Sequence, residues 1–371
     1  MTNRLKATIV AAAGALFIAA PVHPTPVGAQ TAADRSAPWR VDQPKGTPRR
    51  LAFTTTEGTW MSLSVSPDGE TIVFDLLGDL YVLSRAGGRA RPITRGSAWD
   101  IEPRFAPDGK RIAFISDRSG VQNVWTVNPD GTDLRQISHE PEEGLSNPGW
   151  APDGASVVAR QKLARGSYSY KGPWQIVRYR VDDGAKTVIM SGEQDLAYKQ
   201  PSRFQVPGLA PSGPRVSPDG GVLYLAGQVG RLQVGGRAHP ATQILSLTLG
   251  GDTQPDQLTE GHNGAFRPEP SPDGRLLAFG RREGGATNLW LRDLETGEDR
   301  RLVSGITRDA LGSRMIDDLL PGYGWTSQSK SLVIAKDGFI VEVDVASGAT
   351  RRIPFVADVD LTLSEDRKSV V

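Results

Sequence analysis

The chain has 371 residues, 43 Lys and Arg against 42 Asp and Glu, and no cysteine. A net charge of +1 speaks against a nucleic-acid partner, which would call for a basic face, and the missing cysteines exclude disulfides, thiol catalysis and Cys-ligated metal. The 42 glycines and 27 prolines are many for a helical protein and suit one made of tight turns.

The first element reads as an export signal. Arg4 and Lys6 precede a short apolar run over residues 7–21, and Val27-Gly28-Ala29 offers a small-residue cleavage site that leaves Gln30 as the mature start. A run of about 15 apolar residues is too short to span a bilayer comfortably. Residues 1–29 are therefore read as a signal peptide. The mature protein is expected in the periplasm or outside the cell, with no membrane attachment after cleavage. Residues 30–50 carry prolines and charges without a pattern and read as a linker.

From residue 51 onward the chain repeats. The phrase SPDG or APDG places prolines at Pro67, Pro107, Pro152, Pro218 and Pro272, spaced by 40, 45, 66 and 54 residues. A decayed sixth copy, Thr326-Ser327-Gln328-Ser329, follows Trp325. A unit of about 40 residues with insertions is the period of a propeller blade. Each unit has the same grammar of four short β-branched and aromatic strands separated by turns. In the turn, Pro presets φ, Asp bonds the backbone just ahead, and Gly takes the positive φ that a Cβ penalises. The fold class expected is all-β: a propeller of about six four-stranded antiparallel blades at 58–96, 97–140, 145–192, 210–260, 263–305 and 320–355, within a propeller domain over 51–363.

Two further segments bear on closure. Residues 51–56, LAFTTT, form a strand ahead of the first blade, and such a strand usually completes the last one. The sixth unit already has a fourth strand at RRIPF, and residues 358–363 alternate like the opening of another blade. The expectation is an incomplete ring whose parent has seven blades or more. Residues 364–371 are read as a tail. Its last six residues back-translate, with one codon choice, to a sequencing adapter, so an artefactual origin is expected, with an ordinary charged tail as the alternative.

No catalytic constellation is visible. The four histidines, His23, His139, His239 and His262, are scattered, whereas a catalytic metal centre needs His and carboxylates converging, usually at short spacings. No Gly-x-Ser-x-Gly elbow and no phosphate-binding glycine loop occur. Asn128 to Asp133 loosely resembles a calcium loop but lacks the closing Glu, so a hairpin turn is the simpler reading. The remaining candidates are polar residues of the innermost strands, just before the Pro-Asp-Gly turns: Asp100, Glu102, Arg104, Asn147, Arg215, Arg267 and Glu269. Their mixed charge could bind a ligand or partner segment, or simply form mutual salt bridges in a hydrated channel.

The repeat resembles the propeller of TolB proteins. GTWMSLSVSPDGETIVFDLLGDLYVLSRAGG, with PITRGSAWDIEPRFAPDGKRIAFISDRSGVQNVWTVNPDGTD after it, is similar to the N-terminal region of exported bacterial amidohydrolases, in which a TolB-like propeller precedes a metal-dependent hydrolase barrel. The resemblance covers roughly residues 50–355, and the family's hydrolytic His and Asp residues match no position here. It implies a scaffold or binding module without a cofactor of its own, the divalent metal belonging to the hydrolase barrel. The partner would be that missing C-terminal domain or a periplasmic protein. A stand-alone TolB-like binding propeller and the propeller of a prolyl-oligopeptidase-type serine peptidase are the alternatives.

Overall fold

The computed structural model describes residues 41, 48–141, 144–163, 174–192, 211–234, 237–251, 254–261, 264–283, 285–308 and 320–364. The segment read as a signal, most of the linker and all of the tail beyond Ser364 lie outside the described residues.

Among the described residues there are six sheets, and their strands follow the repeat. After β1 (Pro48–Thr55), blade 1 holds β2 (Leu63–Val65), β3 (Thr71–Leu76), β4 (Asp79–Ser84) and β5 (Gly88–Pro92). Blade 2 holds β6 (Asp100–Phe105), β7 (Ile112–Ser116), β8 (Asn123–Val127) and β9 (Arg135–Gln136). Blade 3 holds β10 (Leu145–Trp150), β11 (Ser156–Lys162), β12 (Trp174–Arg180) and β13 (Lys186–Gly192). Blade 4 holds β14 (Ser212–Val216), β15 (Val222–Val234), β16 (Arg237–Thr248) and β17 (Asp256–Gln257). Blade 5 holds β18 (Ala265–Pro270), β19 (Leu276–Glu283), β20 (Ala286–Asp293) and β21 (Asp299–Arg308). Blade 6 holds β22 (Gly324–Trp325), β23 (Ser331–Lys336), β24 (Phe339–Asp344) and β25 (Thr350–Ile353). A last strand, β26 (Phe355–Ser364), follows. Each blade is an antiparallel meander, the expected all-β propeller.

Local chemistry explains the turns. In blade 1 the Ser66 hydroxyl donates to Asp68 Oδ1 and accepts from Thr71 N at 2.9 Å, while Asp68 Oδ1 accepts from Glu70 N. Blades 4 and 5 repeat this with Ser217 and Asp219 and with Ser271 and Asp273. Blades 2 and 3 have Ala106 and Ala151 in place of the serine and keep only the Asp half, on Lys110 N and Ala155 N. In the decayed copy Ser329 takes the glycine's place at φ 56°. The segment from Asn128 to Asp133 is a turn, with Asp130 Oδ1 accepting from Thr132 N and Oγ1.

A second device ties the third strand to the end of the fourth. Ser138 Oγ accepts from Val124 N and donates to Asn123 Oδ1. Thr259 Oγ1 does the same for Ile244 N and Gln243. In blade 1 Thr94 Oγ1 accepts from Leu80 N, and the residue in the amide's place is Asp79.

The core lies between blades. Phe74, Tyr81 and Leu63 of blade 1 pack with Val333, Ile340 and Ile353 of blade 6, and Leu63 N donates to Gly322 O at 2.9 Å. Blade 6 thus packs directly on blade 1. Among the described residues the ring closes with six blades, and the expected further blade has no place between the sixth and the first. Residues 358–363 open no new blade. They lie in β26, which runs parallel to β5 from Phe355↔Gly88 and antiparallel to β1. Strand β1 accordingly joins the sheet of blade 1 and not the last blade. The reason is in the alternation. Phe355, Ala357 and Val359 are buried against blade 1, while Asp358 and Asp360 reach Arg89, Thr54 and Arg50 on the other face.

Candidate functional site

The innermost strands carry a shared irregularity that aims polar side chains at the axis. In β6, β10, β14 and β18 the register slips just ahead of the turn, between Ile101 and Arg104, Ser146 and Gly149, Ser212 and Arg215, and Phe266 and Glu269. The slip centres on Glu102, Asn147, Gly213 and Arg267, with φ of 56°, 54°, 58° and 55°, each followed by proline. Such a bulge bends the strand and re-aims its side chains. Counting back from the turn proline, or from Ser327 that replaces it, the fifth position gives Ser62, Glu102, Asn147, Gly213, Arg267 and Gly322. The third gives Ser64, Arg104, Gly149, Arg215, Glu269 and Gly324.

Side chains at the fifth position link neighbouring blades. Asp75, on β3, accepts from Ser62 N and Glu102 N, both at 2.8 Å. Glu102 accepts from Asn147 N at 2.5 Å and from its Nδ2 at 2.8 Å. Asn147 Oδ1 accepts from Gly213 N at 3.1 Å, and Ser62 Oγ accepts from Gly322 N at 3.0 Å. The orphan N–H of a bulge in one blade is thus satisfied by a side chain from the blade beside it.

Across the axis, blades 2 and 5 stand opposite one another and carry reversed charges, Glu102-Pro103-Arg104 against Arg267-Pro268-Glu269. Arg267 Nη1 lies 3.4 Å from Glu102 Oε1, and Arg104 Nη1 lies 3.1 Å from Glu269 Oε2. Arg104 also donates to Tyr323 O at 2.8 Å, and Arg215 Nε donates to Glu269 Oε2 at 2.8 Å. The Tyr323 hydroxyl donates to Arg267 O. Glycines make room for these arginines: a Cβ on Gly149 would stand 3.1 Å from Arg215 Nη1, and one on Gly322 would stand 3.1 Å from Arg104 Nη2.

Electrostatics follow from burial. Burial pushes the Asp75 carboxyl up to about 7, against the pull of its N–H donors. Burial, and then the neighbouring Arg215 charge, pull Arg104 down to about 10. Two guanidiniums, Arg104 and Arg215, share one carboxylate here.

Six of the seven residues singled out in the sequence therefore meet at the axis. Asp100 does not join them. It is fully buried between blades 1 and 2, where Oδ2 pairs with Arg118 Nη2 at 2.5 Å and its N–H donates to Gly78 O. Asp75 and Tyr323 were not singled out. A carboxylate inside the apolar strand TIVFDL was the signal for Asp75, and nothing in the sequence marked Tyr323. Among the described residues no three His, Cys, Asp or Glu side chains are grouped to hold a metal ion. His139 is exposed, and the side chains of the other histidines fall outside the described set. Among the described residues no helix is long and apolar enough to cross a membrane.

Comparison with known proteins agrees with this architecture. The family model of the Tricorn protease N-terminal beta propeller domain matches residues 63–210. The uncharacterized peptidase YuxL of Bacillus subtilis is 31% identical over 127 residues, 33% of this chain and 17% of that protein. The Tol-Pal system protein TolB of Bordetella pertussis is 45% identical over 58 residues, 15% of this chain and 13% of that protein. The chain thus matches only a small part of these relatives' length. The crystal structure of TolB from Acinetobacter baumannii superposes with a TM-score of 0.57 at 15% identity, covering 82% of this chain and 66% of that one. The fold is a TolB-like β-propeller.

Proposed function

We propose that this chain is the propeller module of a larger exported hydrolase of the metal-dependent amidohydrolase kind, where it scaffolds the catalytic domain and acts as a docking surface rather than as a reaction centre. The observation that carries this reading is the axis itself. Ion pairs from opposite blades cross the place where a propeller could hold a substrate, and they tie the facing blades to one another. Export rests on the charged and apolar pattern of residues 1–29, and the partner is then a covalently attached catalytic domain that supplies its own metal.

The matches to the Tricorn propeller and to the peptidase YuxL favour a second reading, a propeller attached to a serine peptidase. The match to TolB supports a third, capture of a periplasmic protein on a face of the disc. The reading frame of the source genome beyond codon 365 separates the three. A His-x-His motif within a barrel supports the first. A Gly-x-Ser-x-Gly within an α/β domain overturns it in favour of the second, and a stop codon favours the third.

A further inference from the structure

At the axis, positive charge exceeds negative charge locally. Arg104 and Arg215 converge on Glu269 alone, at 3.1 and 2.8 Å, and their side chains are only 8% and 6% exposed. Arg215 Nε is taken by Glu269, and Nη1 donates to Pro148 O at 3.2 Å and Pro214 O at 2.7 Å, with Asn147 O at 3.5 Å. The third group, Nη2, is buried and finds no acceptor among the described residues. The other carboxylates nearby are committed elsewhere: Glu102 to Asn147 and Arg267, and Asp75 to Ser62 N and Glu102 N. A buried guanidinium without its share of negative charge is costly, and an unmade hydrogen bond on it adds to that cost. A water molecule answers the hydrogen bond and leaves the charge.

We propose that the propeller axis is a binding site for one small monoanion, a halide or a free carboxylate, held by Arg215 Nη2 and neutralising the Arg104–Arg215–Glu269 cluster. This goes beyond the module reading and stands whichever domain the propeller serves. Gly149 lets the Arg215 guanidinium lie close against the backbone, since a Cβ there would stand 3.0 Å from Pro214 O and 3.1 Å from Arg215 Nη1. The site is built by blades 2, 4 and 5 together, so the anion acts as a pin between blades and binds only the closed ring.

Bromide and formate are the probes. Crystals of the full chain soaked in sodium bromide should show an anomalous peak within hydrogen-bonding reach of Arg215 Nη2. In solution at fixed ionic strength, made up with sodium HEPES, bromide and formate should each raise Tm along a saturating curve, as expected for a ligand that binds only the native state. A response to formate alone assigns the site to carboxylates, and a response to bromide alone assigns it to halides. Arg215→Gln removes the donor and the excess charge together and should abolish the response. If that variant does not fold, Glu269→Gln serves instead: loss of the shared carboxylate should lower the half-saturating anion concentration several-fold. No anomalous peak at Arg215, together with a Tm that is the same in bromide, formate and HEPES, would overturn the proposal.

Discussion

Arg104 of blade 2 reaches across the propeller axis to Glu269 of blade 5, 165 residues along the chain, with 3.1 Å between Nη1 and Oε2. A parallel pair, Glu102 and Arg267, crosses in the reverse charge order. Two turns of sequence grammar that look alike, Glu-Pro-Arg and Arg-Pro-Glu, thus become a clasp only when the ring sets them face to face.

Breaking one half of this clasp strands a buried charge. Arg267→Met should destabilise the protein by about 3 kcal/mol, in the range for a buried pair that loses one partner. Exchanging the pair, Glu102→Arg with Arg267→Glu, should recover less than half of the loss, because Glu102 also caps Asn147 N. Denaturant unfolding of the wild type and the two variants measures this, and full recovery in the exchange would show that the cap contributes nothing.

Asp79 occupies the position that Asn123 and Gln243 hold in blades 2 and 4, facing the Thr94 that ties the strands. Burial, and then Asp100, push its carboxyl up to about 7, while Oδ1 has no hydrogen-bond partner. A carboxyl whose folded pKa is raised binds more protons when folded, so stability falls as pH rises from its unfolded value near 3.8 to about 7. Asp79→Asn should flatten that fall and gain on the order of 1 kcal/mol at pH 7.5. Asp75, raised for the same reason, keeps part of the slope in the variant. Unfolding free energies at pH 4.5 and 7.5 for both proteins decide it, and equal slopes would refute the assignment.

Ser329 sits at φ 56° where the other turns have glycine. A side chain in this region costs about 1 kcal/mol, and the contacts at risk are both to Asp273, a long one from its N to Ser329 Oγ at 3.3 Å and one between the Ser329 hydroxyl and its carboxylate. Ser329→Gly should therefore stabilise by about 0.5 kcal/mol, raising Tm by somewhat under a degree. A lower Tm would mean that the Asp273 contacts outweigh the strain.

Phe355 begins the strand that closes onto blade 1. It is 3% exposed and lies 5.2 Å, centroid to centroid, from Phe74. Phe355→Ala should cost about 3 to 5 kcal/mol, the range for emptying a buried aromatic site. A loss below 1 kcal/mol in equilibrium unfolding would show that β26 does not belong to that core.

Much of this protein is legible along the chain. The spacing of Pro67, Pro107, Pro152, Pro218 and Pro272 marks the turns, and the alternation after each turn marks the strands, because both are local properties of one hairpin. Six of the seven axial candidates were legible for the same reason, since their distance from the turn proline fixes which strand they sit on. Asp100 departs because it lies seven positions from that proline instead of five or three, outside the bulge, and Arg118 on the neighbouring hairpin claims it.

What the sequence by itself determined is therefore the unit: four strands, a Ser-Pro-Asp-Gly turn and a bulged inner strand, each set by contacts within about 40 residues. Only the tertiary structure decided the partners of those units. Residues 358–363 read as a strand in either setting, but their pairing with β5 and β1 depends on which blade edge is free once blade 6 has packed on blade 1. The crossing of Arg104 to Glu269 and of Glu102 to Arg267 likewise has no local signature. Long-range ion pairs leave no period in a sequence, and they exist only because closure of six blades places the second opposite the fifth.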